Sequence, residues 1–257
     1  MKIFDSHTHL NDEHLYPEAD KYFKHAQNLG VVKIANVGSN QKLNDLSLEL
    51  SAKYPDMYSI IGWHPEDSIY YHEEQEKLLI EQLQSPKVVA LGEIGLDYHQ
   101  TTSPRSVQKR VLKRQIDIAK QLHLPISIHN RDAFEDTYDI LKEMNVADIR
   151  GVMHSFNGDP EWLKKFLDLG MLVSYSGVAS FKKTHEVHDA VRETPFDSMM
   201  VETDAPYLSP EPLRGKQNEP AYSLYTVEAL ARICDVNPDV IAAHTYENTM
   251  RLFGIEE

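Results

Sequence analysis

The sequence predicts a closed α/β barrel, built as a single domain over residues 1–257, and three observations carry that expectation. Eight short apolar runs recur along the chain, helical periodicity fills the gaps between them, and candidate metal ligands stand where several of the runs end. Continuous apolar runs that alternate with helices indicate a parallel sheet covered by helices. A length of 257 residues fits one such barrel, since α/β barrels commonly run to roughly 250 residues in one domain.

KIFD is the first predicted strand, ending near residue 6. PEADKYFKHAQNLG after it carries an apolar stripe of Ala19, Tyr22, Phe23, Ala26 and Leu29 that stops at Gly30. VVKIANV ends near 37 and is followed by the stripe Leu43, Leu46 and Leu50, while MYSIIGW ends near 63 and VVALGEI near 94. SPRSVQKRVLKRQIDIAKQLH reads as a long helix, with Pro104 suited to its start. PISIH ends near 129 ahead of Phe134, Tyr138 and Leu141, and GVMH ends near 154 ahead of Trp162, Leu163, Phe166 and Leu167. MLVSYSG and MMVET end near 175 and 203, and periodic segments continue through YSLYTVEALARICDV to Leu252. An open doubly wound sheet is the alternative, but its first turn would often carry a glycine-rich phosphate loop, which DSHTHL lacks. Ligands spread over the first, fourth, fifth, sixth and eighth strands also favour closure, because a barrel gathers all its carboxyl ends around one mouth.

Composition narrows the partners. Lys and Arg number 26 against 40 Asp and Glu, a formal charge of −14, which opposes non-specific wrapping of nucleic acid. Two divalent cations would bring it only to −10, so a nucleic-acid substrate has to be drawn in locally, as an end or a short strand. The amino terminus has no basic region leading into an apolar one, and no apolar run approaches the ~18 residues of a membrane helix; a soluble, cytoplasmic protein without membrane contact is expected. The single cysteine, Cys234, fits a reducing compartment as a buried structural thiol.

If SHTHL is extended, His7 and His9 project from one face and make half of a metal site. In a chain with 13 histidines, two half-exposed imidazoles at a strand end are the bland alternative. Glu93, in VVALGEIGLDY, is a carboxylate at the end of a buried strand, costly without a positive partner, and its two oxygens allow it to bridge two metals. Gly92 and Gly95 beside it suggest close packing or unusual backbone angles. His129 and His154 end adjacent strands in equivalent positions, which favours ligation over two unrelated structural roles. Asp204 closes MMVETD ahead of Ala-Pro, so a helix cap there is a weaker reading than a ligand.

DSHTHL, GEIGLDY, HNRDA, HSFNG and ETDAPYLSP followed by LRGKQNEP closely resemble the TatD family of metal-dependent hydrolases, in order and spacing, from Asp5 to Leu252. The resemblance implies a TIM (β/α)8 barrel. It implies that His7, His9, Glu93 and Asp204 bind one metal and that Glu93, His129 and His154 bind a second, with Glu93 as the bridge. It also implies a deoxyribonuclease assisted by magnesium or manganese, often exonucleolytic from the 3′ end, acting on a DNA end or short single strand. A D-aminoacyl-tRNA deacylase, an ester or amide hydrolase with aminoacyl-tRNA as its substrate, is the alternative. The expected cofactor is two divalent cations, Mg, Mn or Zn, although four His and two carboxylates suit zinc, manganese, nickel or iron better than magnesium.

Asp204 is the expected general base, touching the first metal while keeping an oxygen near the attacking water. His64, in IIGWHPED, and Arg214 and Asn218, in LRGKQNEP, are the expected substrate contacts: a hydrogen-bond donor, a phosphate grip, and a contact to phosphate or base. Asp97 and Arg131 stand beside them, Asp97 to orient a ligand and Arg131 as a phosphate or salt-bridge partner. Trp63 and Tyr98 either stack a nucleobase or plug the core.

Overall fold

A computed structural model describes residues 1–100 and 102–256. Its sheet has eight strands in the order of the chain, every neighbouring pair parallel: β1 (Ile3–Thr8), β2 (Val31–Val37), β3 (Met57–Ile61), β4 (Val88–Asp97), β5 (Ile126–Arg131), β6 (Gly151–Met153), β7 (Met171–Tyr175) and β8 (Met199–Val201). The helices are α1 (Ala19–Asn28), α2 (Gln41–Lys53), α3 (Glu73–Gln82), α4 (Arg105–Leu122), α5 (Phe134–Glu143), α6 (Pro160–Asp168), α7 (His185–Glu193), α8 (Ser223–Cys234) and α9 (Pro238–Phe253). Local chemistry sets several of their ends. Gly30, just past α1, adopts φ 85°, and Asn40 caps α2 by accepting from Leu43 N at 3.1 Å, a contact typically contributing ~1 kcal/mol. Asp159 and Asn237 do the same for α6 and α9, each ahead of a proline at the first helical position.

Strand residues divide into two cores with the period of two that a pleated sheet imposes. Ile3, Ile34, Ile61, Leu91 and Met153 join the core between sheet and helices. Their neighbours Phe4, Ala35, Ile60, Ala90 and Val152 form a second cluster with Tyr246, Met250 and Phe253 of α9. That second cluster is the barrel interior, and α9 supplies its floor. Phe4 lies at its centre, with ring centres of Tyr58, Tyr246 and Phe253 5.9, 6.3 and 6.1 Å away, and its complete burial contributes ~2–3 kcal/mol.

Hydrogen bonds stitch β8 back to β1. The Asp5 carboxylate accepts from Thr203 N at 2.9 Å and Thr203 Oγ1 at 2.6 Å, Asp204 N donates to His7 O at 2.9 Å, and His9 N donates to Ala205 O at 2.8 Å. The carboxyl ends of β1 and β8 are thereby locked together where His7, His9 and Asp204 emerge. β1, β4 and β5 run two to three residues past their expected ends, to Thr8, Asp97 and Arg131, so His7, Glu93 and His129 lie on strand rather than loop. Among the described residues, no helix is long and apolar enough to cross a membrane.

Candidate metal centre

Alternation along the strands aims most of the candidate ligands at one mouth. On β5, Ile126 and Ile128 join the outer core, which turns His129 inward, and His154 shares the inner side of Val152. On β1 and β4 the count is odd: Phe4 and Ala90 belong to the inner core, yet His7 and Glu93, three residues on, also face it. The ladders shift register between Asp5 and Thr8 and between Leu91 and Ile94, which absorbs the extra residue in each strand. The Gly92–Glu93 peptide is cis, and Gly95 has φ 155°. A Cβ on Gly95 would lie 1.9 Å from His129 O, so only glycine lets β4 and β5 approach this closely.

The six expected ligands converge in two groups that share Glu93. Glu93 Oε2 lies 3.4 Å from His7 Nε2 and 3.5 Å from His9 Nε2, and Asp204 Oδ1 is 3.9 and 3.4 Å from the same two nitrogens. Glu93 Oε1 lies 2.7 Å from both His129 Nδ1 and His154 Nε2. The facing imidazole nitrogens stand close as well, 3.3 Å for His7 and His9 and 3.4 Å for His129 and His154.

Outer partners hold three of the four rings in the tautomer that a cation requires. His9 Nδ1–H donates to Val37 O at 2.9 Å, His129 Nε2–H to Asp97 Oδ2 at 3.0 Å, and His154 Nδ1–H to Glu202 Oε1 at 3.3 Å. In its neutral form each of these rings then presents a lone pair inward. His7 is the exception, with Nδ1 buried and unpartnered, its ring stacked on His154 at 3.9 Å between centres. Lone pairs and carboxylate oxygens that face one another in a buried cluster repel unless protons or cations lie among them, so this donor set fits divalent metal ions.

The titration behaviour agrees. Burial would raise Glu93, but the charge of His154 and hydrogen bonds from His129 and His154 hold it well below the usual carboxylate value. Asp204 is likewise lowered, against burial, chiefly by His9. Burial works to lower His154, His129 and His9, and carboxylates outweigh it: Glu93 and Glu202 for His154, Asp97 and Glu93 for His129, Asp204 and Glu93 for His9, leaving all three raised. His7 is lowered by burial and by His154.

These groups open onto a cleft of about 650 Å³. His64 lines it, with Nδ1 accepting from Glu66 N at 3.2 Å and Nε2 3.6 Å from Glu93 Oε1; burial and His129 push its pKa down to about 3, so it stands as a neutral N–H donor aimed at the cluster. Arg131 is exposed and lines the cleft, and no ion pair holds it among the described residues; its neighbour Asp132 faces His99 instead, at 3.4 Å.

Two expected substrate contacts lie away from the open cleft. Asn218 is completely buried, and its Nδ2 donates to Thr203 O at 2.9 Å and Tyr207 O at 2.6 Å. A buried amide has to satisfy its hydrogen bonds inside the protein, so Asn218 braces the loop after β8 rather than meeting a substrate. Arg214 is exposed but lies outside the cleft lining, its guanidinium 4.2 Å from the centre of the Phe181 ring. Trp63 and Tyr98 are also occupied, Trp63 buried against Tyr71 and Tyr98 beneath the Arg105 guanidinium.

Glu202 escaped the sequence reading. It is fully buried, orients His154, accepts a very short hydrogen bond from Ser174, and forms a further ligand-type grouping with His7 and His154. The signal was present, a charged residue directly after an apolar strand, but Asp204 two residues on absorbed the reading of MMVETD.

Comparison with known proteins places these features in context. The family model described as TatD related DNase matches residues 4–254. The uncharacterized metal-dependent hydrolase YabD of Bacillus subtilis is 40% identical over 253 residues, covering 98% of this chain and 99% of that one. The uncharacterized metal-dependent hydrolase YcfH of Escherichia coli is 35% identical over 261 residues, covering 100% and 97%. Among solved structures, YJJV, a TatD homologue from Escherichia coli, superposes with a TM-score of 0.94 at 25% identity over 99% of this chain and 98% of that one.

Proposed function

The chain belongs to the TatD family of metal-dependent hydrolases, and on that premise we propose that it hydrolyses phosphodiester bonds at the end of a DNA strand, with two divalent cations that Glu93 and the residues around it would hold. The observation that carries this reading is the division of Glu93, one oxygen toward His7 and His9 and the other toward His129 and His154. His7, His9, Glu93 and Asp204 would hold one cation, and Glu93, His129 and His154 the other. When bound, the pair supplies positive charge that acidifies water and balances charge on the attacking and leaving oxygens.

The protein's own groups do the rest. Asp204 is held ionised and lines the cleft beside His9, so it can accept a proton from water as that water attacks phosphorus. The phosphorus–oxygen bond to the leaving sugar breaks, and the leaving oxygen takes up a proton. His64, neutral with its N–H inward, donates a hydrogen bond to a phosphate oxygen, and Arg131, without an ion pair among the described residues, offers the cleft a forked cation for phosphate. The nitrogen-rich ligand set suits manganese or zinc better than magnesium.

The test offers metal-reconstituted protein a 3′-labelled DNA oligonucleotide, the matching RNA and a D-aminoacyl-tRNA side by side. Shortening of the DNA is expected; cleavage of the aminoacyl ester alone would sink the nuclease reading and install the deacylase in its place.

A further inference from the structure

Five large apolar or aromatic residues are exposed among the described residues, and Tyr207, 55% exposed, is the one that lines the cleft. The loop after β8 fixes it firmly. Tyr207 N donates to Asp204 O at 2.9 Å, Tyr207 O accepts from the buried Asn218 at 2.6 Å, and the hydroxyl donates to Asp12 Oδ2 at 3.4 Å. Its ring meets His9 edge-on, 6.4 Å between centres at 66°. The residues flanking this turn, Asp204 and Leu208, both have left-handed backbone angles, φ 54° and 56°, conformations that non-glycine residues keep where the surroundings enforce them and that gather at ligand clamps. An aromatic ring is thus held rigid beside the ligand cluster with over half of its surface left open.

Charge indicates what that surface takes. With a net charge of −14 and Asp12, Glu66 and Asp97 in the cleft wall, added phosphates are repelled, whereas a nucleobase is neutral and brings affinity without more negative charge. A base can lie flat on the ring only if it is unpaired, so the feature also selects single-stranded ends. We propose that the Tyr207 ring is the stacking site for the unpaired nucleobase next to the scissile phosphodiester, and that it favours single-stranded over double-stranded DNA ends. This deepens the nuclease reading and rests on it.

The experiment reads binding separately from hydrolysis. Oligonucleotides carrying 2-aminopurine at the 3′ or the 5′ terminus are titrated with metal-free wild type, Tyr207→Phe, Tyr207→Leu and Tyr207→Ala, each checked for native circular dichroism. Wild type and Tyr207→Phe are expected to quench the fluorescence of one terminus, whereas Leu and Ala abolish the quenching and weaken binding by about 5- to 150-fold, the range that base stacking supports. With metal restored, KM should rise by a similar factor with kcat nearly unchanged, and an abasic terminus should erase the difference between wild type and Tyr207→Ala. Equal quenching by wild type and Tyr207→Ala overturns the stacking site, as does no binding by wild type; a Phe variant as weak as Ala assigns the effect to the hydroxyl and also overturns it. Quenching without hydrolysis by any metal-loaded form leaves the stacking site standing and overturns the nuclease reading instead.

Discussion

At the residue scale, the site depends on which atom carries a proton. Asp204→Asn keeps the shape of the side chain and removes its basicity, so kcat is expected to fall at least ~100-fold while circular dichroism stays native. Retention of full turnover at saturating metal would remove Asp204 as the base. Asp97→Asn tests the outer partners more selectively. Oδ1 of Asp97 accepts from the backbone N–H of His99 at 2.9 Å and of Gln100 at 2.7 Å, so the amide can preserve the turn, while an NH2 in place of Oδ2 opposes the His129 Nε2–H. Metal affinity measured by calorimetry should drop by ~10–100-fold with little change in unfolding temperature. The cluster itself was legible because a charge or imidazole that ends an apolar strand needs an explanation. Asn218 misled for the opposite reason: LRGKQNEP reads as an exposed polar loop, and nothing in the string shows that its one buried amide is spent on the carbonyls of Thr203 and Tyr207.

At the element scale, β4 carries both Glu93 and a close approach to β5 at Gly95. Gly95→Ala would drive a methyl group to within 1.9 Å of His129 O, an overlap that no rotamer relieves, and would force β4 away from β5 or twist both. The expected cost is at least ~3 kcal/mol, read from chemical denaturation, with loss of the second cation's affinity ahead of the first's. Equal loss from both halves of the centre would show that the effect is general unfolding rather than displacement of His129. Strand order and number followed from eight apolar runs, because inner and outer cores leave parallel strands apolar on both faces. The bulges in β1 and β4 could not be read in the same way. Strict alternation would send His7 and Glu93 to the side opposite Phe4 and Ala90, and the register shift that reverses them is fixed by pairing with β2 and β5, not by the strand's own residues.

At the scale of the whole molecule, the six candidate ligands come from β1, β4 and β5 and from the segments just after β1, β6 and β8, so cations held by them would tie both sides of the seam that Asp5 and Thr203 close. Cations that bind only the folded chain stabilise it by mass action, ~2.7 kcal/mol at a free concentration 100 times Kd, which for a domain of this size corresponds to a rise in Tm of about 5–10 °C. The size of that rise should depend on pH in a direction fixed by the histidines. His9, His129 and His154 have raised pKa values in the metal-free fold, so their protons stabilise it fully below the ordinary histidine value, and that contribution is lost as pH rises through the raised values. The same protons must leave before the nitrogens can bind metal. Rising pH therefore weakens the metal-free protein and strengthens metal binding together, and the difference in Tm between manganese-loaded and EDTA-treated protein is expected to widen from pH 6 to pH 8. Glu93→Gln, which removes the shared charge while keeping the shape, should abolish most of the widening. A difference that narrows with pH, or that survives unchanged in the Gln variant, would mean that the cations do not sit among these histidines.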